Sequence, residues 1–502
     1  MKNRLFNTIA IRKPKSNAFD LSHEKKLTCN MADLIPVYFE PVIPGDKIRV
    51  KTEALIRMAP LTFPVMHRMN VYIHYFKVPY RLVWDNWETF ITGGEQEDTP
   101  VPNFPKIAIE EGSRSLYGVG SLADYFGIPV PLDPQPITQQ LAMSALPFRA
   151  YQLIYNEYYR DQNLQDKIPF TKGDSVNSTE TGYITTLRQR AWEKDYFTSC
   201  LPNAQKGNPV NIPTTLNYKT PSQVTDVNGG LVGGDLTANG TDLMVGSSPA
   251  IMDNLSSLGI TINDLRKSAR LQEWLEKNMR GGSRYVESIL SHFGVVSSNK
   301  LLQRPQYLGG GKMPIQISEV LSTFNNAEVP GANMYGHGLS AGSMPQINDF
   351  AEEHAYIIGL MSILPRTAYM NQTEKEWFKF DKFDFAWPEF ANIGEQEVLN
   401  REVYHDYYGL KNNADTFGYQ SRYAEYKFKQ STVHGDFRDT LYSWHLARMF
   451  TQSPALNSQF ITANPRTDIF AVTDENVHKL YVQLYNSVQA IRPLPVYGTP
   501  ML

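Results

Sequence analysis

The chain has 502 residues, a formal net charge of −3 and two cysteines, Cys29 and Cys200, which lie far apart and in no metal-ligand spacing. That balance excludes a protein that coats nucleic acid over its whole surface, and no run reaches the roughly 20 apolar residues of a membrane span. Aromatic residues make up 12% of the chain, with 28 Tyr and 25 Phe, a composition that suits β structure and extensive contact surfaces.

Residues 1–16 hold Lys2, Arg4, Arg12, Lys13 and Lys15 without an acidic residue. They read as a basic arm, extending to about residue 20, whose cations suit contact with nucleic-acid phosphate; the plainer alternative is a frayed, soluble terminus. The stretch lacks an apolar core of signal-peptide length, and the sparse cysteines suit folding in a reducing bacterial cytoplasm. Residues 35–78 are strand-like, with a turn at Pro44-Gly45-Asp46 and Ile48 and Val50 alternating with charged residues. Met69, Val71, Ile73 and Tyr75 then alternate with Asn70, Tyr72, His74 and Phe76, which predicts a strand with one buried and one half-wet face. Pro79 stops it. Arg81, Trp84, Trp87 and Phe90 follow on a segment closed by Gly93-Gly94, and their composition is that of a contact surface on irregular backbone.

Residues 95–136 are Pro/Gly-rich and irregular. A helix is expected from about Ala145, with Pro147 in its first turn and Phe148, Tyr151, Ile154, Tyr155 and Tyr158 as its apolar stripe. Residues 207–260 are dominated by Gly, Asn, Thr, Ser and Pro, including Asn228, Gly229, Gly230, Gly233, Gly234 and Asn239. A polar insertion this long is functional or mobile. Thr261 or Asn263 is expected to cap a helix carrying Leu265, Leu271, Trp274, Leu275 and Met279, ended by Gly281-Gly282. A second helix carries Tyr285, Ile289, Leu290 and Phe293. After about Ile315 short strands and turns return, including 424–429 and 479–488. Strand signals at both ends, with helices and loops between, predict a mainly β barrel or sandwich with expanded connections, built as one elaborated domain over 1–502.

Chemical motifs fail on their context. Gly118-Val119-Gly120-Ser121-Leu122-Ala123 follows a polar stretch, not the strand a dinucleotide fingerprint needs. Gly309-Gly310-Gly311-Lys312 is followed by Met313, where a phosphate loop requires Ser or Thr. His23-Glu24-Lys25-Lys26-Leu27 lacks the second His of a zinc-protease helix. Glu352-Glu353 and Glu395/Glu397 show no convergent partner for acid–base work, and His445 reads as a packed histidine satisfied by a hydrogen bond.

The order Pro60-Leu61 to Pro64, strand, Phe76-Lys77-Val78-Pro79-Tyr80-Arg81, Trp84, then Phe90 to Gly93-Gly94 resembles the major capsid protein of the Microviridae, and within them the gokushovirus branch. The likeness extends through Phe19-Asp20-Leu21-Ser22-His23, Leu146-Pro147-Phe148-Arg149-Ala150-Tyr151, Gln205-Lys206-Gly207, Gly281-Gly282-Ser283-Arg284-Tyr285, Gly394-Glu395-Gln396 and Trp444-His445. Asn203-Ala204 departs from the aromatic and proline usual before Gln205. The resemblance implies an eight-stranded antiparallel jelly-roll β-barrel with large loop and helical insertions. It implies a non-enzymatic shell subunit, about sixty copies of which close a T=1 icosahedral capsid round a circular single-stranded DNA genome. Lys2, Arg4, Arg12, Lys13 and Lys15 would then contact DNA, and Arg81, Trp84, Trp87 and Phe90 would lie at a subunit interface. The 207–260 insertion, with Asn228, Gly229, Gly230, Gly233, Gly234 and Asn239, would form a three-fold protrusion for a host surface receptor. Implied partners are a small basic packaging protein and minor virion proteins; no cofactor is expected, a structural divalent cation being the one ion allowed for. The site would be the virion, assembled in the host cytoplasm. The competing reading is a β-rich carbohydrate-binding protein or glycoside-active enzyme.

Overall fold

The computed structural model describes residues 16–94, 96, 99–131, 135–208, 210, 236–239, 242–245, 248–249, 262–282, 284–325 and 331–497. The chain divides into two compact units, Met1–Ala204 with Arg284–Leu502, and Gln205–Ser283.

Ten strands of the first unit make one antiparallel sheet: β1 (Asn17–Asp20), β2 (His23–Cys29), β3 (Ile35–Val42), β4 (Lys47–Met58), β5 (Met69–Pro79), β6 (Gln306–Leu321), β7 (Met334–Ser343), β8 (Ile347–Phe350), β9 (Ala355–Pro365) and β10 (Leu480–Arg492). The order is β1-β10-β4-β7-β6-β5-β9-β3, with β8 also beside β4 and β2 also beside β10. The sequence explains the inner face. In β4, Ile48, Val50, Thr52, Ala54, Ile56 and Met58 are buried while the residues between them face outward, the period of a pleated strand. Met69, Val71, Ile73 and Tyr75 of β5 enter the same core with Ile357, Met361 and Ile363 of β9 and Leu480, Val482, Leu484 and Val488 of β10. A single core thus sits inside the curve of the sheet, which forms a half-barrel.

Strand β6 makes the curve continuous. Its first part, Gln306–Ile315, pairs with β5, and its second, Gln316–Leu321, pairs with β7. The sequence suggested short strands and turns after Ile315; instead this 16-residue strand runs across that point. Gly309-Gly310-Gly311 lies inside it at a bulge, and a Cβ on Gly310 would sit 2.4 Å from the Ile73 carbonyl oxygen. Close backbone approach, not phosphate binding, accounts for these glycines.

The second face of β5 is drier than its alternation suggests. Besides the short helix Leu122–Tyr125, this part of the chain holds α1 (Trp87–Thr92), α2 (Leu146–Ile154) and α3 (Ser178–Thr185). Phe76 and Val78 of β5 and Ile358 and Leu360 of β9 pack with Phe148, Tyr151 and Ile154 of α2 and Ile184 of α3. Every position of β9, AYIIGLMSILP, is therefore buried, as expected of a strand covered on both faces. Pro147 stands in the first turn of α2, as its sequence predicts, and the helix runs on into a π turn at Tyr155–Tyr159. The strand expected over 424–429 is instead a 3-10 turn, Ala424–Tyr426. The strand Thr416–Ser421 ends just before it, and Tyr423 at φ 59 turns the chain away.

In the second unit, strands Leu236–Asn239, Asp242–Val245 and Ser248–Pro249 form a small antiparallel sheet, with Asn239 paired to Asp242. Helix α4 (Ile262–Gly281) contains Asn263, which is therefore not its cap, and Gly282 at φ 96 follows it. Helix α5 (Tyr285–Phe293), in the first unit, ends at Gly294, φ 68. Lys2, Arg4, Arg12, Lys13, Lys15, Asn228, Gly229, Gly230, Gly233, Gly234 and Thr261 lie outside the described residues.

Candidate assembly and nucleic-acid surfaces

The segment after Pro79 is ordered, not irregular. A 3-10 turn, Tyr80–Leu82, leads to α1, and the Gly93 N–H donates to the Thr89 carbonyl with Gly93 at φ 84, a glycine C-cap. Trp84 is fully buried, and its Nε1–H donates to Asp174 Oδ1 at 2.7 Å. Its ring centroid lies 5.0 Å from those of Phe90 and Phe104. The expectation that Trp84 meets another subunit is thereby corrected: its own chain surrounds it, and the indole N–H finds its partner there, as a buried tryptophan requires. Trp87 and Phe90 are partly exposed and pack against the same cluster, Trp87 with its centroid 4.7 Å from Tyr80. Arg81 Nε lies 2.6 Å from Glu353 Oε2, and its Nη1 donates to Gln303.

A second surface lies on the outward face of β4. Lys47, Arg49, Lys51 and Arg57 all point away from the core, and side chains two apart on a strand stand about 6.6–6.8 Å apart. Across from them on β10 stand Ile491, Gln489, Ser487 and, opposite Arg57, Tyr481. Glu53 pairs with Lys51 at 3.0 Å, while Lys47, Arg49 and Arg57 make no ion pair among the described residues. The alternation of Ile48 and Val50 with charges marked this strand in the sequence, but not that the charges form one face.

A cleft of about 730 Å³ opens at the second face of β5. His74 lies in it with Nδ1 2.9 Å from the Tyr159 hydroxyl, and burial, with the Arg190 charge nearby, pulls its pKa down to about 4. Arg190 stacks over the Tyr72 ring at 4.3 Å, and the Tyr72 hydroxyl donates to Glu193. Tyr72 thus stands between Arg190 and Glu193.

The remaining chemical candidates are structural. Glu353 is engaged by Arg81 and Glu352 by Lys300. His445 is buried, its Nε2 2.8 Å from the Phe437 carbonyl and its Nδ1 accepting from the Ala447 N–H at 3.1 Å, the satisfied histidine expected. Gly118 precedes only a four-residue helix, Leu122–Tyr125. Both cysteines are buried and neither forms a disulfide, the Cys200 thiol donating to the Tyr196 carbonyl at 3.2 Å. Among the described residues no three His, Cys, Asp or Glu side chains group as a metal site, and no helix is long and apolar enough to cross a membrane.

A curved antiparallel sheet around an apolar core, with a charged outward face on β4, suits a structural protein. Over residues 8–502 the sequence matches the family described as Capsid protein (F protein), and the chain belongs to that phage capsid family. It is 34% identical to Capsid protein VP1 of Chlamydia phage 1, across 100% of this chain and 98% of the relative. It is 35% identical to Capsid protein VP1 of Bdellovibrio phage phiMH2K and 32% identical to that of Spiroplasma virus 4, each across 96% of this chain and 94% of the relative. The Microviridae resemblance therefore holds. The chain is a non-enzymatic capsid structural protein of the virion, and the carbohydrate-active alternative falls.

Proposed function

We propose that about sixty copies of this chain close a T=1 icosahedral shell around a circular single-stranded DNA genome, and that the half-barrel is the eight-stranded jelly roll of such a subunit. The observation that carries the reading is the match to capsid proteins along nearly the whole chain, joined to a sheet with eight strand positions and one enclosed core. Heterologous contacts round symmetry axes close such a shell. Trp87 and Phe90, partly exposed, suit the edge of one of them; Arg81 is turned to Glu353.

The DNA would meet the outward cations of β4 together with Lys2, Arg4, Arg12, Lys13 and Lys15. A net charge of −3 leaves most genome charge uncompensated, so a small basic packaging protein, with metal ions, supplies the remainder. The 207–260 insertion, with Asn228, Gly229, Gly230, Gly233, Gly234 and Asn239, rises as the three-fold protrusion that meets a host surface receptor, next to minor virion proteins. The separation of Gln205–Ser283 as a unit supports an added element of this kind. Negative-stain microscopy and size-exclusion chromatography of the purified chain test the reading. Closed megadalton shells are expected; a monomer or small oligomer under all assembly conditions overturns it.

A further inference from the structure

One stretch of the first unit keeps its aromatic side chains in water. Three 3-10 turns, Lys375–Phe378, Lys382–Asp384 and Pro388–Phe390, follow one another there. Trp377 is 73% exposed, Phe380 83%, Phe383 53%, Phe385 45% and Trp387 46%. A complete aromatic side chain offers about 150–250 Å², so these five leave roughly 450–750 Å² of aromatic surface on one segment. The largest apolar patch on a typical monomer is about 300–600 Å². The area approaches the roughly 800 Å² that each partner gives to a standard interface.

The segment is held in this inverted state by its own hydrogen bonds. The N–H groups of Phe380 and Asp381 donate to Asp384 Oδ2 at 2.9 and 2.8 Å. Trp387 Nε1–H donates to the Lys382 carbonyl at 2.8 Å, and the Trp387 backbone N–H donates to the Tyr423 hydroxyl at 3.1 Å. The charged side chain, not the rings, is the covered one. Only 2% of the Lys379 side chain is exposed, and its Nζ donates to Glu376 and to the Tyr426 hydroxyl while sitting 3.9 Å from the Tyr426 ring centre. A backbone that buries a lysine in order to present tryptophan and phenylalanine is preorganised for a partner, which lowers the entropy lost on docking.

The charges around the rings choose the class of partner. Lys375 and Lys382 alternate with Asp381, Asp384 and Glu389. Mixed signs do not suit a phosphate backbone, whereas an aromatic centre within a polar rim is the composition of a protein–protein contact. Resting on the shell reading above, we propose that Trp377, Phe380, Phe383, Phe385 and Trp387 anchor a contact between copies of this chain. They add a second aromatic surface to that of the 81–90 segment, whose Trp84 is turned into the subunit.

The test uses the full chain. In W377S/F380S the subunit should keep its melting temperature within about 2 °C, while the protein concentration needed for particles rises more than tenfold. Particles forming at the wild-type concentration overturn the proposal. Where the double variant does not fold, a photo-crosslinking phenylalanine analogue at position 380 of the otherwise wild-type chain decides. Adducts joining two copies of the chain support the contact, and adducts confined to one copy, to DNA or to another protein overturn it. A wild-type chain that never forms particles counts against the shell reading, and the same crosslink in concentrated subunits then judges this contact by itself.

Discussion

Arg149 of α2 and Glu180 of α3 form an ion pair inside the subunit, Nη2 to Oε1 at 3.1 Å, with both side chains removed from water. Arg149 also donates to the carbonyls of Val83, Gly173 and Ser175, and Glu180 accepts from the N–H and hydroxyl of Thr171. The pair thus fastens the chain before α1 and the loop before α3 to one helix. Removing one member of such a pair leaves the other charged and unpaired in a dry site. Glu180→Gln should therefore lower subunit stability by about 3–5 kcal/mol. Urea unfolding measures it, and a change below about 1 kcal/mol would show that water reaches the guanidinium.

Trp84→Ala removes a fully buried indole and strands part of Asp174. The expected loss is about 3–5 kcal/mol of folding free energy. Subunits should melt earlier or fail to accumulate, and those that do fold should assemble at the ordinary concentration. Unchanged melting together with poor assembly would return this residue to the interface.

His74 supplies a pH dependence. Its folded pKa of about 4 lies below the ordinary 6.5, so the unfolded chain binds the extra proton first as acid is added. Stability on this account is intact above pH 6.5 and declines as pH falls toward 4, by about 3 kcal/mol at most. Asp33 opposes it: burial raises its pKa from 3.8 to about 6, so stability is gained as pH falls from 6 toward 3.8. The difference between wild type and His74→Gln isolates the histidine. The variant should lose less stability between pH 7 and 4.5, and parallel curves would refute the assignment.

The proposed contact with DNA can be tested at β4. Lys47, Arg49 and Arg57 changed together to Gln should lessen the salt dependence of single-stranded DNA binding by about 2 in the log–log slope, at about 0.7 per phosphate. Deleting residues 1–16 should remove about 3.5 more if all five arm cations engage. Filter binding from low to moderate salt reads both. A slope that neither change moves would place the DNA against another surface.

Much of the half-barrel was legible because its strands repeat at period two. β5, β10 and the alternating part of β4 declare themselves this way, and α2 does so through its aromatic stripe and Pro147. β6 did not, since Gly309-Gly310-Gly311 and Pro314 break the hydrophobic pattern to admit the β5 backbone. The surfaces were harder. Residues 81–90 and 377–387 are both rich in Trp and Phe, and composition cannot say which set is covered. Trp84 is buried because Asp174 and Phe104, distant in sequence, come to meet it, while Lys379 takes the covered place among the later aromatics. Such long-range partners leave no local mark.

Strand β10 lies between β4 and the edge strands β1 and β2, and Thr52 Oγ1 of β4 donates to Asn486 Oδ1 of β10 at 2.6 Å across 434 residues of sequence. A ribosome adding roughly 5–20 residues per second needs about 20–90 s to pass from one to the other. Through that interval β4 exists without the neighbour that will pair with almost its entire length, and its edge is open to any passing strand. A chain cut short before Leu480 never closes that edge. The order of synthesis thus leaves the pairing of β4 with β10 to the last part of the chain, and a product truncated before Leu480 carries an unpaired edge of the kind that invites pairing with other chains.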